Sequence, residues 1–153
     1  MSEPNDTERA LKLWVVLARA HAAIADRVRA DLVGHGLTAT EFGVLEALYH
    51  KGPLLLGEVQ KKILVSSGGI TYLMDRLVEK GYTERRPCPG DRRASYAQLT
   101  AKGTALIERI FPQHAAMLRE ALGGLSEDEK EEAIRLIRRL GLYAAGDVAG
   151  AGS

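Results

Sequence analysis

The sequence has one cysteine, one tryptophan and two phenylalanines, and no long hydrophobic run. The single thiol, Cys88, cannot form a disulfide within the chain, which favours a reducing compartment. No stretch approaches the roughly 18 uninterrupted apolar residues that a membrane-spanning helix needs. The first ten residues are polar and acidic, unlike the basic and then apolar start of a signal peptide. We therefore expect a soluble, cytoplasmic protein with no membrane partner.

Patterns typical of catalytic and metal-binding sites are also missing. The four histidines are scattered along the chain and show no His-x-x-x-His pair or other metal-ligand spacing. Glycine-rich phosphate loops and a nucleophile elbow are absent as well. We therefore expect no catalytic residue, no metal and no cofactor, and the sequence predicts a binding protein rather than an enzyme.

The net charge of +1 hides an uneven distribution of charge along the chain. Residues 58–102 carry a net charge of +4, whereas residues 1–57 carry −1 and residues 103–153 carry −2. Affinity for a polyanion depends on a local basic surface, because counterions are displaced where phosphates touch the protein. The basic middle therefore predicts either a nucleic-acid-binding face or an ordinary solvated surface, and charge alone leaves both open.

Hydrophobic periodicity predicts a mainly α-helical fold with one small β-hairpin. Leu54–Leu56 is a short apolar run that predicts a brief strand or a turn. Residues 1–6 and 144–153 lack periodicity, so we expect flexible ends around a single domain over residues 7–142. The predicted helices span about Glu8–Leu32, Thr38–Lys51, Gly57–Ile63, Ser66 or Ser67 to Gly81, Thr100–Leu122 and Ser126–Leu140, and the strands Tyr82–Pro87 and Ala94–Leu99.

Local signals mark where several of these helices begin and end. Thr38 with Glu41, and Ser126 with Glu129, have the spacing of a capping box, in which each residue's side chain bonds the other's backbone N–H. A glycine at position 81 predicts the end of the fourth helix. A proline at position 112 predicts a kink in the fifth.

The long helices near the two ends of the chain are more apolar than a monomer of this size needs. The helix over about 100–122 has one apolar stripe beginning at Leu106 and a second beginning at Ile107. A helix that is apolar on more than one side is buried on several sides. We therefore expect a homodimer in which dimerisation helices over about 8–33 and 100–141 interleave, with a core confined to the monomer as the alternative.

The helix after Ser66 has the features of a DNA-reading helix. In a helix-turn-helix, the second helix enters the major groove and its first residues meet the bases. Small residues there let the backbone approach phosphates, whose charge the helix N-terminus also favours. Ordinary surface residues are the alternative, although two glycines cost on the order of 1 kcal/mol each relative to alanine. The predicted DNA-binding residues of this helix are Ser66, Ser67, Gly68, Gly69, Thr71, Tyr72 and Arg76.

The hairpin that follows carries further candidate DNA-binding residues. We expect Arg92 and Arg93 to enter a minor groove, where narrow A·T-rich DNA concentrates negative potential. Phosphate would repel Asp91, so we expect it to orient a neighbouring arginine through a charged hydrogen bond. One of Arg85 and Arg86 should reach the DNA backbone. A solvated basic turn is the alternative.

These motifs resemble the MarR family of winged-helix transcriptional regulators (multiple antibiotic resistance regulators). Asp91-Arg92-Arg93, a strand and then Leu99–Gly103 are similar to that family's wing and the start of its next helix. The segments Ser67–Thr71 and Asp75–Leu77 resemble its recognition helix, and Glu79–Gly81 the exit from that helix.

The resemblance covers about residues 8–142 and implies both a fold and a function. It implies a winged helix-turn-helix over about 38–99 and a homodimer joined through its terminal helices. It also implies a transcriptional repressor bound to an inverted-repeat operator in double-stranded DNA. A winged helix that binds proteins without DNA is the alternative, and it would not need Arg92 and Arg93.

Members of that family are often released from DNA by small, frequently phenolic ligands, or by oxidation of a cysteine. Such a ligand would lodge between the dimerisation helices and the DNA-binding lobe, against aromatic rings that otherwise serve as plain packing. The candidate ligand-binding residues are Trp14, His21, Phe42, Tyr49 and His114.

Cys88 provides an alternative sensor of oxidants or electrophiles. Arg85 and Arg86 precede it closely in sequence, and nearby guanidinium groups stabilise a thiolate. The family's peroxide-sensing branch, however, carries its reactive cysteine in the first helix, and this sequence has none there. A passive thiol is therefore the favoured interpretation.

Overall fold

The computed structural model describes residues 5–63 and 67–146, with the backbone alone at Ser67. It confirms a mainly α-helical fold with one small sheet. The described residues form two compact units, divided between Leu118 and Arg119. No helix among them combines the length and the apolar character needed to cross a membrane. The elements in chain order are α1 Asp6–Val33, α2 Ala39–Lys51, β1 Leu54–Leu55, α3 Leu56–Ile63, α4 Ser67–Glu79, β2 Thr83–Cys88, β3 Asp91–Leu99, α5 Ala101–Ala121 and α6 Glu127–Ala144.

Both terminal helices extend further than their periodicity predicts. Helix α1 begins at Asp6 because Asn5 caps it: the backbone N–H of Glu8 donates to Asn5 Oδ1 over 2.8 Å, and Glu8 Oε2 accepts from the Asn5 N–H. Helix α6 continues past Leu140 to Ala144. Helical structure therefore reaches into both predicted flexible ends, at Asp6 and Ala144, while their flexibility stays a prediction, and residues 1–4 and 147–153 lie outside the described part of the chain.

The two predicted capping boxes have different outcomes. The box at Ser126 is confirmed, and the hydrogen bonds from the Ser126 backbone N–H and with its hydroxyl hold the pKa of Glu129 below its usual value. At α2, Thr38 Oγ1 accepts from the Glu41 N–H over 3.1 Å as expected. The Glu41 carboxylate, however, bonds the ammonium group of Lys80, so the second half of that box is wrong. A charged donor from a distant segment outcompetes a backbone N–H for this carboxylate.

The hydrophobic core of the first unit lies between helices α2 to α5 and the sheet. The predicted apolar stripe of α4 is buried, and Gly81 ends that helix with φ +80° as expected. Pro112 lies within α5, and its kink stays a prediction. Helix α1 contributes little to this core, since Leu32 is its one buried residue. The buried stripe of α4 consists of Ile70, Leu73, Met74 and Leu77.

The three strands form an antiparallel sheet in the order β1-β3-β2. The brief strand at Leu54–Leu55 is confirmed, and it pairs with β3. Strand β3 begins at Asp91, three residues earlier than predicted, because Cys88 pairs with Asp91 across a tight turn in which Gly90 has φ +85°. We call the hairpin over residues 83–99 the wing.

Thr83, the first residue of β2, is buried, and its Oγ1 has no hydrogen-bond partner among the described residues. A buried hydroxyl without a partner costs stability, whereas valine has nearly the same shape without the polar atom. We expect Thr83→Val to raise the free energy of unfolding by about 1 kcal/mol in a urea titration. The matched substitution Thr104→Val, at a half-buried threonine, serves as the control. A clear loss of stability in Thr83→Val would show that the hydroxyl is satisfied.

Candidate nucleic-acid interface

Helices α3 and α4 form a helix-turn-helix, with residues 64–66 between them outside the described part. Helix α4 turns its apolar stripe to the core and leaves the opposite side exposed, including Tyr72 at 61%. We call α4 the recognition helix. Gly68 and Thr71 are also on its exposed surface and Gly69 is half-buried. The contacts predicted for Ser66 and for the Ser67 side chain fall outside the described residues.

Tyr72 and Arg76 lie one helical turn apart and contact each other. The guanidinium carbon of Arg76 is 5.8 Å from the centre of the Tyr72 ring, and its Nη1 is 3.5 Å from the Tyr72 hydroxyl oxygen. A guanidinium group over an aromatic face is attracted by the ring's negative charge density. Tyr72 and Arg76, the two side chains that the sequence predicts to reach base edges, therefore contact each other within the protein.

The recognition helix is tied to the wing by an ion pair. Arg85 Nη2 on β2 donates to Asp75 Oδ1 over 2.6 Å. Arg86 is more exposed, and its Nη2 lies 3.6 Å from Glu84 Oε1. Of the two arginines expected to provide a DNA-backbone contact, Arg85 is thus engaged within the protein, and Arg86 has the better access to a phosphate.

No guanidinium group in the described part of the chain bonds Asp91, so the prediction that it orients an arginine side chain is wrong. Its Oδ1 accepts from the backbone N–H of Arg93 over 2.9 Å. The short aspartate side chain reaches the N–H two residues further along, which is the geometry of an Asx turn. Asp91 therefore orders the backbone that carries the two wing arginines rather than orienting their charged groups.

Arg92 and Arg93 are both exposed but line different clefts. Arg92 lines a cleft of about 510 Å³ together with Arg85 and Arg86. Arg93 lines another of about 570 Å³, shared with Lys61 on α3. Successive side chains of a strand point to opposite faces, so these neighbouring cations do not form one cluster. Their shared entry into a minor groove stays a prediction.

Cys88 is half-buried at the end of β2, and its Sγ lies 3.8 Å from the Pro89 carbonyl oxygen. The two arginines expected to activate it are each engaged by a carboxylate: Asp75 pairs with Arg85, and Glu84 with Arg86. The physical basis for a reactive thiolate is therefore weakened.

The five candidate ligand-binding residues do not form one pocket within the protomer. The rings of Phe42 and His114 pack at a tilt of 49° with their centres 4.4 Å apart, and His114 Nδ1 lies 3.4 Å from Asp31 Oδ2. Trp14 and His21 are exposed on α1. With a rise of 1.5 Å per residue, Trp14 lies roughly 25 Å along α1 from Asp31, too far to share a small-ligand site.

Tyr49 belongs to a different surface from the Phe42–His114 pair. It lines a cleft of about 360 Å³ with Pro53 and Gln98, and its ring centre is 5.3 Å from that of His50. His50 in turn packs against Phe111 at 5.2 Å. The sequence did not single out His50, because one exposed histidine has no distinguishing pattern. Among the described residues, no cluster of histidine, cysteine and carboxylate side chains could hold a metal ion.

Comparison with known proteins agrees with this architecture. A family model described as the MarR family matches residues 35–94, which include α2, α3 and the recognition helix. The HTH-type transcriptional regulator MhqR of Bacillus subtilis is 46% identical over 138 residues, covering 90% of this chain and 95% of MhqR.

Two solved structures are similar in both sequence and fold. A mutant of Escherichia coli MarR complexed with operator DNA is 25% identical with a TM-score of 0.78, and the match covers 90% of this chain and 99% of that one. Bordetella bronchiseptica BpsR, whose DNA binding is regulated by 6-hydroxynicotinic acid, is 26% identical with a TM-score of 0.77, over 85% and 98% of the two chains. The winged helix-turn-helix and the near full-length match to MhqR together show that the chain belongs to the MarR family of DNA-binding transcriptional regulators.

Proposed function

We propose that this protein is a cytoplasmic, homodimeric repressor that binds an inverted-repeat operator in double-stranded DNA and is released by a small ligand. The observation that carries the proposal is the contact between the exposed Tyr72 and the half-buried Arg76 on a recognition helix held beside a basic wing. A tyrosine and an arginine on the outer side of such a helix are able to bond base edges in the major groove. Operator binding by the related E. coli MarR supports this assignment.

The DNA contacts divide between the two parts of the interface. The exposed surface of the recognition helix would read bases, and the wing would hold phosphates or a minor groove. This functional domain would span about residues 7–142. The proposed major-groove residues are Ser67, Gly68, Gly69, Thr71, Tyr72 and Arg76, and the proposed wing contacts are Arg86, Arg92 and Arg93.

The homodimer follows from apolar surface on each terminal helix. Helix α1 exposes Leu11 and Trp14, and α6 exposes Ile134, Ile137 and Tyr143. Soluble monomers rarely leave contiguous apolar patches of this kind in water, and a second copy would cover them. Two recognition helices related by a twofold axis would then meet half-sites whose centres lie about one helical turn, ~10 bp, apart.

A small aromatic ligand would act where the Phe42–His114 pair contacts Asp31. This group joins side chains from α1, α2 and α5, so a ligand there could change the position of the DNA-binding helices. Regulation of BpsR by 6-hydroxynicotinic acid supports a ligand of this chemical class. Titration of the protein–operator complex with hydroxylated aromatic acids, with and without His114→Phe, tests this assignment.

The wing contact is tested by Arg93→Ala in a salt series with operator DNA. Losing a cation at a phosphate removes about 0.9 from the slope of log affinity against log salt, and a dimer loses two such contacts. We expect Arg93→Ala to weaken operator binding and to flatten this slope by about 1.8.

Lys51→Ala provides a matched control, because it removes one exposed cation at the end of α2, near the base of the wing, whereas Arg93 lies near its tip. Its slope should stay close to that of the wild type. Equal affinity and equal slope for Arg93→Ala and wild type would show that the wing does not hold DNA. A protein-binding winged helix would bind no duplex in any of these measurements.

A further inference from the structure

A buried carboxylate lies beneath the exit of the recognition helix. Glu41 on α2 is 1% exposed, and Lys80 Nζ donates to its Oε2 over 2.6 Å. Lys80 is the first residue after α4, and its side chain is 28% exposed. The two residues are 39 positions apart in sequence, so their pairing depends on the packing of α4 against α2.

Lys80 makes further contacts that join the recognition helix to its surroundings. Its Nζ also donates to the carbonyl oxygen of Gly36, in the loop between α1 and α2, over 3.2 Å. Its own carbonyl oxygen accepts from Lys102 Nζ on α5 over 2.9 Å. One residue thus links the end of the recognition helix to three other segments of the first unit.

Because Glu41 is buried, its ion pair with Lys80 constrains the positions of both residues more than an exposed pair would. An exposed ion pair is screened by water and constrains its partners weakly. A carboxylate removed from water requires its counter-charge in one place, because an unpaired buried charge is strongly unfavourable. The ammonium of Lys80, and with it the C-terminal end of α4, is therefore held at a defined distance from α2.

We propose that the Glu41–Lys80 pair is a positioning element that sets the angle of the recognition helix, and that operator discrimination depends on it. This inference rests on the proposed DNA-binding function. Helix α4 has 13 residues and is therefore roughly 20 Å long, so a small displacement at its exit tilts the Tyr72–Arg76 face. Hydrogen bonds to base edges need accurate placement, whereas long basic side chains follow phosphates through small shifts.

We expect removal of the Glu41–Lys80 pair to reduce the preference for operator DNA over unrelated DNA, rather than to weaken binding to all DNA equally. The test measures dissociation constants for operator DNA and for an unrelated duplex of equal length, at one salt concentration. The variants are Lys80→Met, Glu41→Gln and the double variant, which removes the pair without leaving an unpaired buried charge. Lys51→Met is the charge-matched control for Lys80→Met, because it also removes one positive charge, and the double variant leaves the net charge unchanged.

We expect the double variant to weaken operator binding by about a hundredfold, because a roughly tenfold loss, the size of one base contact, occurs at each of the two half-sites, with the unrelated duplex changed by less than about threefold. Lys80→Arg, which keeps the charge and the donors, should recover most of the discrimination. Lys51→Met should change both dissociation constants by similar small factors.

Two outcomes would overturn the inference. One is an unchanged ratio of the two dissociation constants in a folded double variant. The other is an equal loss on both duplexes, which would assign the pair a purely structural role. Failure of the wild-type protein to prefer any operator would instead refute the proposed function, so the two failures are distinguishable. If Lys80→Met does not fold, Glu41→Gln and the double variant still decide between these outcomes.

Discussion

Replacing Gly103 with alanine is expected to lower the free energy of unfolding by about 3 kcal/mol, although alanine is the better helix former. Gly103 lies in the first turn of α5, where it is buried against the chain segment that enters β2. A Cβ atom at this position would lie 2.0 Å from the carbonyl oxygen of Tyr82 and 2.9 Å from its carbonyl carbon. Both are backbone atoms, so the clash cannot be relieved by rotating a side chain.

The contact at Gly103 also fixes where α5 meets the wing. The Tyr82 carbonyl oxygen accepts from the Thr100 N–H over 3.0 Å, and Thr100 Oγ1 donates to the Gly81 carbonyl oxygen over 2.6 Å. Moving α5 away from Tyr82 would break these hydrogen bonds at the base of β2. We therefore expect Gly103→Ala to lose operator affinity as well as stability.

Denaturant unfolding followed by circular dichroism measures this effect, and Gly57→Ala is the control. A Cβ at Gly57 in α3 would meet no atom within 4 Å, so alanine there should stabilise the protein by about 0.5–1 kcal/mol. Opposite signs for the two glycine-to-alanine substitutions are the diagnostic result. Unchanged or increased stability in Gly103→Ala would mean that α5 does not pack this closely on Tyr82.

Replacing Ile137 with aspartate is expected to convert the proposed dimer into monomers and to abolish tight operator binding. Ile137 is 53% exposed on α6, where the described residues have no buried side chain. In a twofold dimer each substitution occurs twice, and each buries a carboxylate without a partner. A loss of about 4 kcal/mol raises the dimer dissociation constant roughly a thousandfold.

Sedimentation equilibrium at micromolar protein concentration measures this change directly. Arg139→Ala is the matched control, because it lowers the net charge by one unit as well and lies roughly 200° around the helix from Ile137. It should leave the dimer intact, as should Ile137→Leu, which keeps the apolar surface. A dimeric Ile137→Asp variant would show that α6 is not part of the dimer interface.

Loss of dimerisation should weaken binding to the full operator, because the two half-sites are no longer bound by one linked molecule. A monomer can occupy one half-site, so it loses the gain in effective concentration that a linked second half-site provides. Binding to an isolated half-site should then be similar for wild type and Ile137→Asp. A folded monomer that still binds the full operator tightly would contradict the proposal that two recognition helices act together.

Features that depend on neighbouring residues were predictable from the sequence. The apolar stripe of α4, its end at Gly81 and the Ser126–Glu129 capping box were all confirmed, because each depends on residues within one or two helical turns. The wing also formed where its strands were predicted, although β3 begins at Asp91 rather than Ala94.

Ion pairs between distant segments could not be predicted in this way. Glu41 and Thr38 have the spacing of a capping box, but the Glu41 carboxylate bonds Lys80 instead. One of Arg85 and Arg86 was expected to reach the DNA backbone, and Asp75 engages Arg85. In each case the packing of another element brings the partner into contact, and a sequence pattern does not give the distance between residues on different elements.

The sequence by itself determined the helices and the hairpin, the basic middle of the chain and the apolar terminal helices, and its motifs resemble those of winged-helix regulators. Helical period, capping residues and clustered charge are local properties, and local sequence encodes them. The tertiary structure alone decided which charged groups are engaged within the protein and which remain exposed to a partner. That choice depends on burial, because a carboxylate such as Glu41 recruits a distant cation only once folding has removed it from water.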